Sequence, residues 1–443
     1  MKKVLIIAYY FPPLGWSGVQ RTLKFVKYLR EFGWEPIVVT VGKSKFSVLD
    51  ESLMKEIPKD IKLVRIDDIK FKDVTDRYKE EMMNLVKYSF DNIDENLRYE
   101  YETMIENKFA ELRNLFLMPD GNAIWANSVI DKIEKKININ EIDVLFTTSA
   151  PYSSHLIGLY LKDKYGIPLV CDFRDEWTNN PYISLDNKSL RYKIERSLEA
   201  NILNKADRVI TITSISSENY IKDFSIDEEK VNLITNGYDE EDFKFNRNNK
   251  CKSRKFKIVY NGSLYTSINP YTFIQAIMNL IRDDELKTED LEIIFNGKIE
   301  SEILNNILNM SNSINKNVII NGYLSHEESL KISSTADVLL LIIGDGEKAK
   351  SVYTGKVFEY LRLGIPIIAL SPKNSLIDKL LVETNSGVNV EYDNIFNIQK
   401  EIKVYYEKWK NGYIVKINRN KINKYERKEL TKKLVNIFRE ISC

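Results

Sequence analysis

Short apolar runs recur along the chain, each followed by a turn rich in Gly, Pro or Asn and then by a segment whose apolar positions repeat every three to four residues. The first run, KVLIIA at 3–8, leads into a loop holding Pro12, Pro13, Gly15 and Gly18. A helix follows with Phe25, Val26, Leu29 and Phe32 on one face. It stops at Gly33 and gives way to the run PIVVTV at 36–41. Strand, loop, helix, strand is the opening of a parallel doubly wound sheet. Its glycines lack the G-x-G-x-x-G spacing, so no dinucleotide fingerprint is present. IKLVRI at 61–66 reads as a third strand.

From 71 to 126 the pattern turns helical and charged, with aromatics scattered through it from Tyr78 to Trp125. That is too long for a strand-to-helix connection and reads as a helical insertion. It serves either as a cap with a small core of its own or as an acceptor-binding element. The α/β rhythm then resumes: strand DVLFTT at 143–148, helix 153–164, strand IPLVCDF at 167–173 ending in RDEW, helix 191–204, strand RVITIT at 208–213, a helix from Ser214, and VNLIT at 231–235 running into NGYD. Residues just past the carboxyl ends of parallel strands line the ligand crevice, which marks Asp172, Arg174, Asp175, Asn236 and Gly237.

The polar, basic, aperiodic stretch 244–255 reads as a linker, and a second α/β series follows it. FKIVY at 256–260 precedes an Asn261-Gly262 turn and a helix at 270–282, with Asn269 as cap and Pro270 at its first position. LEIIF ends in Asn296-Gly297 and NVII in Asn321-Gly322. Ser325 and Glu328 then form a capping box that leaves His326 at the surface. The strand DVLLLII at 337–343 precedes a further helix and the buried strand at 365–368, and a basic helical tail at 420–441 could cross back over the first half. The expected organisation is α/β: two Rossmann-like doubly wound domains, 1–243 and 256–419, facing across a cleft, with a C-terminal helix at 420–443.

Composition narrows this little. Lys and Arg number 65 against 64 Asp and Glu, so no charge excess argues for nucleic acid as a partner. No apolar run approaches the ~20 residues that span a bilayer. Pro12, Pro13 and Trp16 stand where a signal peptide would need small residues. Three widely spaced cysteines suggest neither a disulfide framework nor a zinc site and fit a reducing cytoplasm. Two histidines cannot build a multi-histidine metal site.

Candidate chemistry concentrates in SVYTGKVFEYLRLGIPIIAL, residues 351–370. A helix beginning at Gly355 offers free N–H groups and the positive end of its dipole, where an anion such as a diphosphate can sit. Lys356 lies beside that anion. Glu359, one turn deeper, can accept hydrogen bonds from a sugar diol, and phosphate plus diol suggests a nucleotide. The competing use of the same spacing is an i,i+3 surface ion pair between Lys356 and Glu359.

FPPLGWSGVQR, CDFRDEW, ADRVITITSISSENY, NGYDEEDF, YNGSLY and TGKVFEYLRLGIPIIA, in this order and at these separations, resemble the GT-B-fold glycosyltransferases of family four. The branch they look most like makes bacterial capsule, exopolysaccharide and lipopolysaccharide. The resemblance covers the chain apart from 44–125. It implies retaining, metal-independent transfer from a nucleotide-sugar donor on the C-terminal half to a saccharide or lipid-linked saccharide held by the N-terminal half, with no cofactor. Glu359 matches the second glutamate of the family's pair, which binds the ribose. The first, which contacts the donor sugar, falls at Ser351, a departure that leaves Gly355 and Lys356 with the nucleotide role. A second departure puts Ser263 and Ser267 where the family often has Arg and Lys against the diphosphate. Lys356, the helix start at Thr354 and Gly355, and backbone from Gly15 to Gly18 then share that task, with Asn236, Gly237 and Gly262 completing the donor side. The catalytic position aligns near Arg174, with Asp172 or Asp175 handling charge at the reacting hydroxyl. Trp16, Arg21, His155 and Trp177 fall on the acceptor side, although His155 reads better as a packed or capping residue than as a base. A lipid-linked acceptor implies peripheral contact at the inner face of the cell membrane, with Lys24, Lys27, Arg30, Arg191, Lys193 and Arg196 as candidate contacts against a solvated helix face. Two alternatives share this architecture: a non-catalytic nucleotide-sugar-binding partner and a nucleotide-sugar epimerase.

Overall fold

A computed structural model describes residues 1–15, 17–42, 48–68, 95–180, 185–245, 255–412 and 419–442. The insertion's first part, the core of the linker and Trp16 lie outside these ranges. Two compact units divide the chain: Met1–Leu233 with Leu434–Cys443, and Ile234–Lys433.

In the first unit the described elements are β1 (Lys2–Ile7), α1 (Ser17–Leu29), β2 (Trp34–Val41), β3 (Lys62–Ile66), α2 (Glu95–Phe116), α3 (Ala123–Lys136), β4 (Val144–Ser149), α4 (Ser153–Tyr165), β5 (Leu169–Phe173), α5 (Leu190–Lys205), β6 (Arg208–Thr211), α6 (Ser214–Phe224) and β7 (Val231–Leu233). All strands are parallel, in the order β3-β2-β1-β4-β5-β6-β7. β4 and β5 are buried along their whole length, because helices cover both faces; this is why the sequence shows unbroken apolar runs rather than alternation. The order reverses at β1 and β4, so the crevice at their carboxyl ends is the switch point of this sheet.

The insertion boundary read at 126 falls inside α3. Trp125 is fully buried, its ring edge-on to Tyr9 at 5.0 Å and its indole N–H on the carbonyl of Ile66, so it belongs to the main core and not to a separate cap. The end of the chain also packs in this unit: Phe438 lies against Trp34 and Phe146, and Lys2 Nζ donates to the carbonyl of Ser442 at 3.0 Å.

In the second unit follow β8 (Phe256–Asn261), α7 (Tyr271–Arg282), β9 (Leu291–Asn296), α8 (Ser301–Met310), β10 (Val318–Gly322), α9 (His326–Ser333), β11 (Val338–Ile342), α10 (Gly355–Leu363), β12 (Ile367–Leu370), α11 (Leu376–Thr384), β13 (Gly387–Val390) and α12 (Ile395–Lys410). α13 (Arg427–Ile441) comes last, its residues from Leu434 onward belonging to the first unit. The sheet is again parallel, ordered β10-β9-β8-β11-β12-β13. Successive strand residues enter opposite cores: Ile258, Leu340 and Ile368 on one face, Val259, Leu339 and Ile367 on the other. Tyr238 and Phe243 join the second of these cores, so the chain enters this unit ahead of the boundary read at 243. The helix read from 270 starts at Tyr271; Asn269 accepts from the Tyr271 N–H at 3.2 Å.

Candidate functional site

In the second unit three neighbouring strands, β8, β9 and β10, each end in Asn-Gly. Their asparagines form a ladder in which Asn296 donates to Asn261 and Asn321 donates to Asn296, both at 2.8 Å. This levels the rim of the sheet. Gly262, at φ +134, makes the turn off β8 in a conformation that L side chains rarely adopt. A Cβ there would collide with Lys356 Nζ, so the glycine also makes the space in which the ammonium group lies.

Lys356 is the second residue of α10. Its Nζ donates to the Tyr260 hydroxyl at 3.3 Å and stands 4.5 Å from that ring's centroid. Burial lowers its pKa to about 8, with Glu359 opposing the shift. A cation with so little solvation gains much from an arriving anion. Around Gly355 a Cβ would meet nothing within 4 Å, so the start of α10 is approachable. Thr354 caps it with no side-chain hydrogen bond, and its buried Oγ1 has no partner among the described residues.

Glu359 and Lys356 do not close the surface ion pair that their spacing allows. Glu359 Oε1 lies 2.9 Å from His326 Nε2. The expectation of a surface His326 is therefore corrected: its capping box forms as read, yet the ring is mostly covered and faces the helix 33 residues on. Ser351 ends a 3-10 turn, its hydroxyl bonded to the Lys348 carbonyl at 2.9 Å. Ser263 accepts the Tyr260 hydroxyl at its carbonyl. Gly237 has a packing role. A Cβ there would strike the Tyr425 carbonyl, which accepts the Tyr238 N–H at 3.1 Å. Asn236, half-buried, precedes it.

At the switch point of the first unit the candidates separate by role. Asp172 is fully buried and takes two hydrogen bonds from Arg21, with Nη2 at 2.7 Å, and one from Thr148 at 2.8 Å. Both members of that pair are consumed by the core, which removes Asp172 from the catalytic candidates and Arg21 from the acceptor side. Arg174 spreads its guanidinium over the carbonyls of Ser149, Gly18 and Ala150, tying the loops after β4 and β5 to the first turn of α1. Gly18 lacks the Cβ that would collide with that guanidinium. The Gly15 amide is spent on the Val48 carbonyl at 3.2 Å. Asp175 differs from the rest. Half-buried, it accepts no hydrogen bond from the described residues, and burial lifts its pKa to about 6 against the pull of Arg174.

His155 is fully buried, bonded through Nδ1 to Thr147 at 2.7 Å and packed on Phe173, and burial holds its pKa down at about 3. It is a core residue, as the packed reading expected, and does not face an acceptor. Trp177 stacks on Tyr152 at 4.9 Å and donates to Glu195 at 2.9 Å, while Glu199 accepts the Trp177 and Thr178 N–H groups. Tyr10, Asp120, Tyr152, Trp177 and Arg191 line a pocket of about 210 Å³ at this edge. Sequence reading missed Tyr10, Asp120 and Tyr152.

The cationic face expected for a membrane is largely neutralised internally. Lys24 and Lys27 pair with Glu56 at 2.5 and 3.1 Å, Arg30 with Glu35 at 2.6 Å, Arg191 with Glu195 at 2.6 Å, and Arg196 with Asp223 at 3.6 Å. Lys193 stays exposed. Among the described residues no helix is long and apolar enough to cross a membrane.

Residues 93–242 match the family described as Glycosyltransferase Family 4. No curated protein matches the sequence. Among solved structures the fold is shared with sucrose-phosphate synthase from Thermosynechococcus elongatus, at a TM-score of 0.65 and 12% identity over 100% of this chain and 99% of that one. It is shared with a glycosyltransferase from Rickettsia africae ESF-5, at 0.63 and 16% over 99% and 98%. It is shared too with Anabaena Alr3699/HepE, solved in complex with UDP and glucose, at 0.61 and 12% over 99% and 100%. With two parallel doubly wound sheets along its length and the family 4 match within it, the chain is a GT-B-fold glycosyltransferase.

Proposed function

We propose that this chain transfers a glycosyl group from a nucleoside diphosphate sugar, held at the start of α10, to a saccharide or lipid-linked saccharide acceptor in cell-surface polysaccharide synthesis. The observation that carries this reading is the start of α10 itself: an approachable Gly355, the Lys356 ammonium lodged against Gly262, and the Glu359 carboxylate one turn on. In the reaction the bond from C1 of the sugar to the β-phosphate oxygen breaks, and a bond from C1 to the acceptor oxygen forms on the same face. The acceptor proton passes to the departing phosphate. Lys356 and the free N–H groups of α10 supply the positive charge that the leaving diphosphate needs, a task that would otherwise fall to a metal ion. HepE holds UDP within the same fold, which makes UDP the first nucleotide to try. In the first unit the pocket beside Trp177 is the acceptor candidate, with Asp175 the carboxylate left for the reacting hydroxyl.

The test is thermal melting with UDP, GDP, ADP, CMP and dTDP, on wild type and on Glu359→Ala. A ligand at 100 times its Kd stabilises by about 2.7 kcal/mol, well within reach of a melt. One nucleotide is expected to raise the melting temperature of the wild type and not of the variant. No shift with any of the five, or an equal shift in both proteins, overturns the donor site. Ser351 in place of a sugar-contacting glutamate favours a second reading, a nucleotide-sugar-binding partner without transfer. Nucleotide binding with no release of nucleoside diphosphate from any bound sugar donor would select it.

A further inference from the structure

We propose that His326 is a positioning residue of the nucleotide subsite: it holds the Glu359 carboxylate outward, so that the site selects a nucleoside diphosphate with an intact ribose diol over its 2′-deoxy counterpart. The inference rests on the reading of Glu359 as the diol acceptor.

Glu359 has two neighbours competing for its carboxylate. One is the cation three residues earlier on α10, Lys356, within reach by helical spacing. The other is His326 Nε2, which takes Oε1 at 2.9 Å. His326 wins because its place is fixed before the side chain is considered. It is the first residue of α9, whose start is locked by the reciprocal Ser325 and Glu328 capping box. On the far side of the ring, Asp242 Oδ2 lies 4.0 Å from Nδ1, so the imidazole sits between two carboxylates and its Nε2–H is polarised toward Glu359. On the other partner's side α10 is anchored by the buried Val357, Phe358, Tyr360 and Leu361, with Tyr360 accepting the Asn261 N–H at 2.9 Å.

Two consequences follow. Glu359 keeps Oε2 and the remaining lone pair of Oε1 for two ribose hydroxyls, in a rotamer set before the ligand arrives. Lys356 stays clear of its helix neighbour, with its charge available to the diphosphate. One contact thus separates the diol function from the phosphate function on a single helical turn.

The experiment is calorimetric titration of wild type, His326→Ala, His326→Gln and Glu359→Ala with UDP and with 2′-deoxy-UDP. Wild type is expected to favour UDP by about tenfold, the worth of one hydrogen bond to a charged acceptor. His326→Ala should cut that ratio by threefold or more. His326→Gln, which keeps an N–H at nearly the place of Nε2, should recover most of it, a rescue that a merely structural role would not give. A wild-type ratio in His326→Ala, with the ratio lost in Glu359→Ala, overturns the role of His326 and leaves the diol reading standing. An unchanged ratio in Glu359→Ala, no discrimination by the wild type, or no binding of either nucleotide overturns both.

Discussion

Raising the pH should strip the donor site of its cation while the rest of the site stays intact. With a Lys356 pKa of about 8, the ammonium form binds the diphosphate and the neutral amine does not, so the apparent Kd scales as one plus ten to the power of pH minus pKa. UDP affinity should then be level near pH 7, weaken about tenfold by pH 9, and go on weakening about tenfold, or about 1.4 kcal/mol, per further unit. The terminal phosphate of UDP titrates near pH 6, about a unit below this window. Binding at pH 9 should take up close to one proton, measurable by calorimetry in buffers of different ionisation enthalpy. Lys356→Arg, whose guanidinium stays charged, should bind with no slope over this range. Stability of the unliganded protein must move the other way. The folded pKa lies below the unfolded value of about 10.4, so the folded state sheds this proton first, and the Lys356 contribution to stability rises from about pH 8 upward. Wild type compared with Lys356→Met isolates that contribution. A UDP Kd that is flat from pH 7 to 9.5, or an equal slope in Lys356→Arg, refutes the placement of the ammonium on the diphosphate.

Three further outcomes are expected. Gly262→Ala forces a side chain into φ +134 and against Lys356, costing roughly 1–3 kcal/mol in a denaturant titration. It should weaken UDP much as Lys356→Met does, with the double variant no worse than either alone; additive losses would show two independent effects. Asp172→Asn leaves the buried Arg21 guanidinium uncompensated and should cost about 3–5 kcal/mol, whereas a variant that unfolds like wild type but has lost turnover would return Asp172 to the chemistry. Asp175→Asn should raise stability at pH 7.5 by on the order of 1–2 kcal/mol, a gain that fades as the pH falls through about 6 and is gone near pH 3, well below which the aspartate is protonated in both states. Equal urea midpoints at pH 7.5 would show that Asp175 is not destabilised.

How far the chain could be read follows from how far apart the partners lie. Strands covered on both faces write themselves as apolar runs, so β4, β5 and β11 were visible as KVLIIA-like blocks. β13 was not, because an edge strand of sequence GVNV, mostly half-buried and carrying Asn389, has no run to see. The start of α10 was legible for the same local reason: Gly, Lys and Glu within one turn carry their geometry with them. Arg21 and Asp172 are 151 residues apart and His326 and Glu359 are 33 apart, and no periodicity connects either pair. In His326 the capping box was a complete explanation of the backbone, and it hid the fact that the ring had a task of its own.

The RDEW segment after β5 shows how packing sorts carboxylates that composition makes equivalent. Asp172 is deepest, and Arg21 with Thr148 satisfies it fully. Glu176 accepts from Asn179 and Asn219, at 3.0 and 2.9 Å. Glu199, lifted by burial to about 7, spends its oxygens on the Trp177 and Thr178 amides and so holds the loop in place. Asp175 alone of these four accepts no hydrogen bond from the described residues while being lifted to about 6. A fold gains nothing from a desolvated carboxylate without donors, and replacing it should stabilise the protein. That cost is tolerated where chemistry needs a group that titrates close to neutral pH. Arg174 favours the ionised form of Asp175, since its charge opposes the desolvation, and its three carbonyl contacts fix that charge beside the carboxylate. Arg174→Met should therefore push the Asp175 titration further up in a carboxylate NMR experiment. A titration unmoved from about 6 would break the link between the two residues and leave Arg174 with the loops as its sole charge.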